Sequence, residues 1–368
     1  MGDARPHRDF WTELDPDEAG IAAACDLLRA ADGPADLDGG WPDGLWRSLV
    51  DAGAPRWSVP VERGGEEVAR PLLVQRYARL AEASLTAAFI LSQHDAAVRR
   101  LSAVSDRPRA AEWLGAIARG EAMATVGISQ LTTSRRLGAK ALVAVQTGAG
   151  RYRLDGAMPW VTGAENADVF VTGALLDDGR QMLVALPGDR AGLSVLPAFE
   201  IAALQASRTA QVVVEGVGID ADDVLMGPSH EIGAQPGAVG TAGLETSALA
   251  LGQAAAALEG LAEAVAERDD LAESVESMRA SWDSAWSSLL TCARGEGDAA
   301  TAAALRARAN ALALSSTQSY LTARRGRGFL RSDPAQRWAR QALFFLVWSC
   351  PAPIAGAAIR DLAGLCPA

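Results

Sequence analysis

The sequence predicts an α+β protein in three consecutive parts: a helical N-terminal domain over residues 1–118, an antiparallel β domain (sandwich or barrel) over 119–232, and a helical bundle over 233–368. Three observations carry this reading. Early in the chain, apolar residues recur at helical intervals in 15–31, 71–82 and 84–101, with few breakers between them. In the middle, short β-type runs alternate with turn residues, and no long helical pattern separates them. Near the end, Leu244, Leu251, Leu258 and Val265 repeat every seventh residue, with Ala248, Ala255 and Ala262 interleaved.

In order along the chain, the segment 32–42 is rich in Gly, Asp and Pro and reads as a loop between helices. The β-type runs are 141–145, 152–154, 169–171, 182–186, 193–196 and 211–214. Asp177-Asp178-Gly179 and Pro187-Gly188-Asp189 supply turns, and Gly156 and Pro159 mark the turn expected between the second and third runs. In the last part, the small residues between the heptad leucines let a neighbouring helix approach closely.

Composition bounds the function. At 368 residues, 49% hydrophobic and 21% charged, the chain is globular and long enough for two or three packed units. A net charge of -11 argues against nucleic-acid binding, which needs a basic face, so an anionic ligand would need a local cluster of arginines. Cys25, Cys292, Cys350 and Cys366 form no paired motif and the N-terminus is polar, so a reduced cytoplasm is the expected setting. The longest apolar run, 342–348, is far too short to span a bilayer. His7, His94 and His230 lie far apart without metal-ligand spacing, which argues against a metal enzyme.

The most informative stretch is Asp155 to Asp168, which holds Trp160-Val161-Thr162 between two strand signals. An indole offers a face for a flat polar ring, and a threonine hydroxyl or backbone N–H offers a hydrogen bond to the ring edge. Read alone, Trp160 is an ordinary packed aromatic at a strand end. The stretch resembles the flavin-contacting element of the acyl-CoA dehydrogenases, and the helix–sheet–helix order extends the resemblance over nearly the full length. The resemblance implies a C-terminal four-helix bundle and an FAD cofactor cradled by Trp160, Val161 and Thr162.

Further positions are carried over from the family. The segment 125–134 lies where the family has a threonine–glutamate–proline loop ending in glycine–serine–aspartate. This places Ile128, Ser129 and Ser134 at the flavin, while Gln130 stands for the glutamate and Arg135 for the aspartate. Arg268 matches the arginine that reaches FAD phosphate, although the phenylalanine–glycine pair after it reads Leu271-Ala272. Unaided, Arg268 is a helix-end cation. Thr322 to Gly328 occupies the glycine loop that meets the ADP half of a neighbouring subunit's FAD. There Thr322 stands for a glutamine, Arg325 for the first of two paired glycines and Gly326 for the second. Glycines admit phosphate close to the backbone and the arginines neutralise it; a solvated arginine loop is the plain alternative.

The family's catalytic glutamate falls on Ser349, assigned here as substrate-binding, since a hydroxyl cannot accept an α-proton as a carboxylate does. A subset of the family places the base on an earlier helix after a leucine. Leu244-Glu245 matches that pattern, with Thr246 in place of the following arginine. Glu245 sits about 100° from the apolar seam, at its edge, where partial desolvation raises a carboxyl pKa toward the range useful for α-proton abstraction. The alternative is a first-turn glutamate favoured by the helix dipole. His94 lies where the family's helices wall the substrate pocket; a hydrogen-bonded structural histidine is the other reading.

The resemblance implies a flavoprotein that oxidises an acyl thioester, on CoA or an acyl carrier protein, at its α,β carbons. Glu245 would act as base, and an electron-transfer flavoprotein would reoxidise the FAD. Homodimers or homotetramers are expected, because the family completes its FAD sites across a subunit boundary. Two other readings stay open: a flavin-dependent monooxygenase of the same fold, and a catalytically silent subunit of a heteromeric enzyme.

Overall fold

The computed structural model describes residues 19–131, 142–230, 232, 243–348 and 352–364. They fall into two compact units that interleave along the chain. A helical unit takes the described residues of 1–37, 70–88 and 243–368, and a mixed unit takes those of 38–69 and 89–242.

In the helical unit, α1 (Ala19–Asp38) and α3 (Arg70–Ala83) join α6 (Leu244–Val265), α7 (Ala272–Ala293), α8 (Ala299–Gly328), α9 (Pro334–Ala342), α10 (Phe344–Val347) and α11 (Ala352–Leu362). The centre is α6, buried without interruption from Ser247 to Leu258. Its small residues explain why. A methyl group at Gly252 would overlap the Ala78 carbonyl of α3, and one at Gly260 would overlap the Tyr320 ring of α8. The Trp282 indole of α7 donates to Leu251 O at 2.8 Å. Of the heptad series, Leu251 and Leu258 are buried and Ala262 is exposed, so the seam opens toward the C-terminal end of α6. α6 is long and apolar enough to cross a membrane by length and composition, but 72% of that apolar window is buried inside the protein, as in a core helix.

The expected loop at 32–42 is largely helix, because α1 continues through Pro34 to Asp38. Two long-range ion pairs hold that end of α1 to α9: Asp32 to Arg337 at 2.8 Å and Asp36 to Arg340 at 2.5 Å. Ser84 Oγ also donates to Asp32 at 2.6 Å, so the buried carboxylate is fully engaged.

In the mixed unit, α2 (Asp43–Asp51), most of α4 (Leu85–Ser102) and α5 (Pro108–Ala118) accompany eight strands: β1 (Ala124–Gly127), β2 (Val143–Gly148), β3 (Arg151–Val161), β4 (Val169–Leu175), β5 (Gln181–Pro187), β6 (Leu193–Val195), β7 (Ala210–Ile219) and β8 (Val224–Ser229). The sheet order is β6-β7-β3-β2-β4-β5-β8, with β1 beside β4. Five strand pairs are antiparallel, as expected, but β1–β4 is parallel and β2 touches β4 through one parallel bridge. On β4 and β5, alternate residues serve two cores. Phe170, Met182, Val184 and Leu186 face the strands of one cluster, while Val169, Val171, Leu183 and Ala185 pack with Val98, Leu101, Leu114 and Ile117 of α4 and α5. Covering on both faces is why these strands read as unbroken apolar runs.

The turn expected at Gly156 and Pro159 lies elsewhere. β3 runs through both residues, and its register with β7 shifts between Leu154 and Gly156 and again between Met158 and Val161. Bulges of this kind accommodate the positive φ of Gly156 (132°) and a proline within a strand. The chain turns instead at Gly163 (φ 63°), where a side chain would crowd Met123 and the Trp41 ring.

Candidate functional site

The mixed unit brings two separated segments together. The Thr125 hydroxyl donates to Thr162 O at 2.7 Å, and Gly127 backs onto Met158 and Val161, so the residues after β1 lie beside the end of β3. The turn that follows, Ser129–Leu131, is pinned from below. Gln130 is buried, and its amide donates to Gly127 O (3.0 Å), Thr172 Oγ1 (3.1 Å) and Gly173 O (2.9 Å). Gln130 is thus a tie between β1 and β4, which no local reading of the loop reveals. Ile128 and Ser129 are half-buried at this turn. Ser134 lies outside the described residues.

Trp160 is the exposed member of the cluster. Its side chain is 39% exposed, with the ring centroid 4.6 Å from that of Phe199 at an interplanar angle of 47°. The ring packs on Phe199 with one side and leaves part of its surface accessible at the β3 end. Val161 and Thr162 differ from it. Val161 points into the strand core, which leaves only its backbone for any ligand. Thr162 is 1% exposed, and its hydroxyl meets Thr209 Oγ1 at 3.2 Å, itself 2.9 Å from Ser207 Oγ. The expected pairing of indole face and threonine hydroxyl therefore corrects to an exposed indole beside a buried hydroxyl chain, because the bend after β3 turns Thr162 inward where strand alternation alone would keep it on the face of Trp160.

His94 is fully buried. Its Nε2 lies 3.1 Å from Pro55 O, and Nδ1 lies 3.1 Å from Ala124 N. The neutral Nε2–H tautomer satisfies both, donating to the carbonyl and accepting from the amide. Burial pushes the imidazole down to about 4, against the weaker opposing effect of those backbone bonds. With both nitrogens committed, the ring has none left for a substrate, and the structural reading is the one the geometry describes. Ser349 lies outside the described residues.

The helical unit carries a second cluster. A groove of about 430 Å³ between the end of α6, α7 and α8 is lined by Arg268, Thr322, Leu271, Ser274, Ser315 and Gln318, among others. Arg268 forks onto Asp270 at 2.9 and 2.5 Å. That contact, more than the accompanying charge attraction, holds the Asp270 carboxyl below its usual range, and Arg325 adds to the attraction. Arg325 and Gly326 are exposed one turn beyond Thr322. At Arg325 the backbone leaves the helix (φ 53°, ψ -148°), a conformation that glycine adopts readily and other residues do not. The backbone thus keeps a glycine-like bend where the sequence carries arginine.

Glu245 sits at the second position of α6 and is 5% exposed. Arg70, the first residue of α3, reaches both carboxylate oxygens, with Nη1 2.8 Å from Oε1 and Nη2 donating to Oε2 at 3.3 Å. The carboxylate also folds back over Gly243, where a methyl group would overlap it. The sequence reading of a carboxylate at the edge of an apolar seam is corrected here: Glu245 is buried but charge-paired. Arg70, 175 residues away, gives no local signal of this contact. The carboxyl that burial and the neighbouring Glu82 push up, to about 8, is Glu259 on the same helix. It belongs to a charged cluster with Arg29, Glu82, Glu263 and Arg279 that the sequence reading also missed.

No family model matches this chain. It is 25% identical over 169 residues to the probable acyl-CoA dehydrogenase YngJ of Bacillus subtilis (strain 168), a match covering 45% of this chain and 44% of that protein, so it spans under half the length of the relative. The solved butyryl-CoA dehydrogenase of Megasphaera elsdenii superposes with a TM-score of 0.82 at 17% identity, over 95% of this chain and 98% of that one. Dibenzothiophene monooxygenase (TdsC) of Paenibacillus sp. A11-2 superposes with a TM-score of 0.77 at 18% identity, over 94% and 96%. The chain has the acyl-CoA dehydrogenase fold, and part of its sequence is similar to a probable acyl-CoA dehydrogenase.

Proposed function

We propose that the protein is a flavin-dependent oxidoreductase acting on an acyl thioester, carried by CoA or an acyl carrier protein, in the cytoplasm. The observation that carries the reading is the accessible Trp160 indole at the end of β3, in a chain of this fold, with the half-buried Ile128 and Ser129 on the turn after β1 that packs against β3. These residues fit one face of a flat ring system. In the helical unit, Arg268, Thr322, Arg325 and Gly326 line or border a groove suited to the phosphate and adenosine half of FAD. As in the family, that half would come from a neighbouring subunit, which makes a homodimer or homotetramer part of the proposal.

The flavin, when bound, supplies the hydride acceptor. The roles proposed for the chain's own residues are, in the mixed unit, to pack the ring against Trp160 and, in the helical unit, to take the α-proton of the thioester on a Glu245 oxygen. Arg70 bears on that last role by holding both carboxylate oxygens in place through its two terminal nitrogens. An electron-transfer flavoprotein is the proposed oxidant. The absorption spectrum of the purified protein, repeated with a series of acyl-CoAs, tests the reading. A flavin band that one thioester bleaches supports it, and a colourless protein after incubation with FAD refutes it. Glu245→Gln should keep the flavin and lower turnover by a factor of about 100 or more; unchanged turnover removes Glu245 from the mechanism.

A second reading, a flavin-dependent monooxygenase, is favoured by the same Arg70–Glu245 ion pair, since a chemistry that needs no carboxylate base tolerates a neutralised one. Rapid reoxidation by air in place of thioester-dependent bleaching distinguishes it.

A further inference from the structure

Two buried glutamines in the helical unit differ from the other buried polar side chains described above, which have partners. Gln253 on α6 and Gln341 on α9 are each 1% exposed, and neither the amide oxygen nor the amide nitrogen of either has a hydrogen-bond partner among the described residues. Proteins seldom leave even one buried polar atom unpaired, and here there are four.

Helix rise puts the two residues at comparable levels, within about two turns of each other. On α8, Tyr320 stacks near Trp338 (5.4 Å) and Asn310 Nδ2 donates to Phe345 O, so α9 and α10 run antiparallel to α8. Gln341, three residues after Trp338, falls between those levels. On α6, Gly260 faces Tyr320, while Leu251 is level with Trp282 of α7, whose neighbour Ser284 contacts Arg308 of α8. Gln253 therefore falls between the levels of Arg308 and Tyr320, on the face of α6 that carries Gly260 seven residues on. α6 contacts both α8 and α9. At these levels α8 buries two hydroxyls, Ser316 and Thr317, which donate to the carbonyls of Leu312 and Ala313 and keep their lone pairs as acceptors.

We propose that Gln253 and Gln341, with Ser316 and Thr317, form an internal hydration site that holds ordered water between α6, α8 and α9. Water suits this donor set because it donates to the amide and hydroxyl oxygens and accepts from the amide nitrogens, and buried waters typically make about three such bonds. The site stands apart from the redox reading and does not depend on it.

A crystal structure of the full chain tests it directly. Ordered oxygen density within about 3.2 Å of an amide atom of Gln253 or Gln341 and of at least one other member of the set is the expected result. Amides bonded to each other or to protein carbonyls with no water, or a molecule other than water at the site, overturns the assignment. Gln253→Met, Gln341→Met and the double variant give an independent measurement. Shared water predicts that each single change lowers the melting temperature and that the double change lowers it by less than the sum. Strictly additive losses count against a shared site.

Discussion

Replacing Arg325 with glycine should stabilise the protein. The perturbation touches one exposed side chain, so almost no buried area is lost, and the effect is confined to the backbone at φ 53°, ψ -148°. Holding a residue with a Cβ in such a region costs about 1–3 kcal/mol. Glycine removes that strain but adds about 0.5–1 kcal/mol of conformational entropy to lose on folding. The net gain is therefore about 1 kcal/mol. Arg325→Ala supplies the control, because it deletes the guanidinium and keeps the Cβ. The assay is denaturant unfolding of the full chain for wild type and both variants, read at constant slope so that midpoint shifts report stability. The glycine variant should exceed the alanine variant by about 1 kcal/mol or more. Equal midpoints would mean that the bend at residue 325 carries no strain, and the argument from the glycine-like backbone would fail.

Other outcomes follow from named groups. Glu259 is held protonated up to about 8 by burial first and by Glu82 second, while an unfolded glutamate ionises near 4.5. The native state thus binds the extra proton between those values, so stability should fall as pH rises from about 5 to 8, at up to about 1.4 kcal/mol per unit. Glu259→Gln should flatten that slope, and an unchanged slope would show that Glu259 is ionised in the fold. His94 has the opposite sign. Its folded value, pushed down to about 4, lies below the unfolded 6.5, so its contribution is full above 6.5 and lost as pH falls toward 4. The stability difference between wild type and His94→Gln should shrink across that window and stay constant above it. Gly252→Ala should cost about 1–3 kcal/mol, since its methyl group would overlap Ala78 O where α3 and α6 meet; a neutral result would mean that the helices part easily.

Much of the fold was legible locally. The heptad leucines announced α6, and the apolar runs 169–171 and 182–186 announced β4 and β5, because burial imposes a period on whichever residues face a core. The errors sit where a distant contact overrides a local signal. Pro34 and the surrounding Asp and Gly residues read as a loop, yet α1 continues because Arg337 and Arg340, some 300 residues away, capture Asp32 and Asp36. Gly156 and Pro159 read as a turn, yet pairing with β7 carries β3 through them on bulges. The candidate site divides in the same way. Trp160, Arg268, Thr322 and Glu245 were named from the chain, but the pairing of Glu245 with Arg70 and the two-nitrogen commitment of His94 were not visible there.

By itself the sequence determined the helix–sheet–helix order, the apolar seam of α6 and the placement of an aromatic at the end of β3, because these depend on periodicity and residue type along one element. Only the tertiary structure decided which carboxylate is paired, which histidine is closed off, and which buried glutamines have no hydrogen-bond partner among the described residues. Those outcomes depend on distances of a few ångströms between residues far apart in the chain, where Coulomb and hydrogen-bond energies change steeply and no local pattern records them.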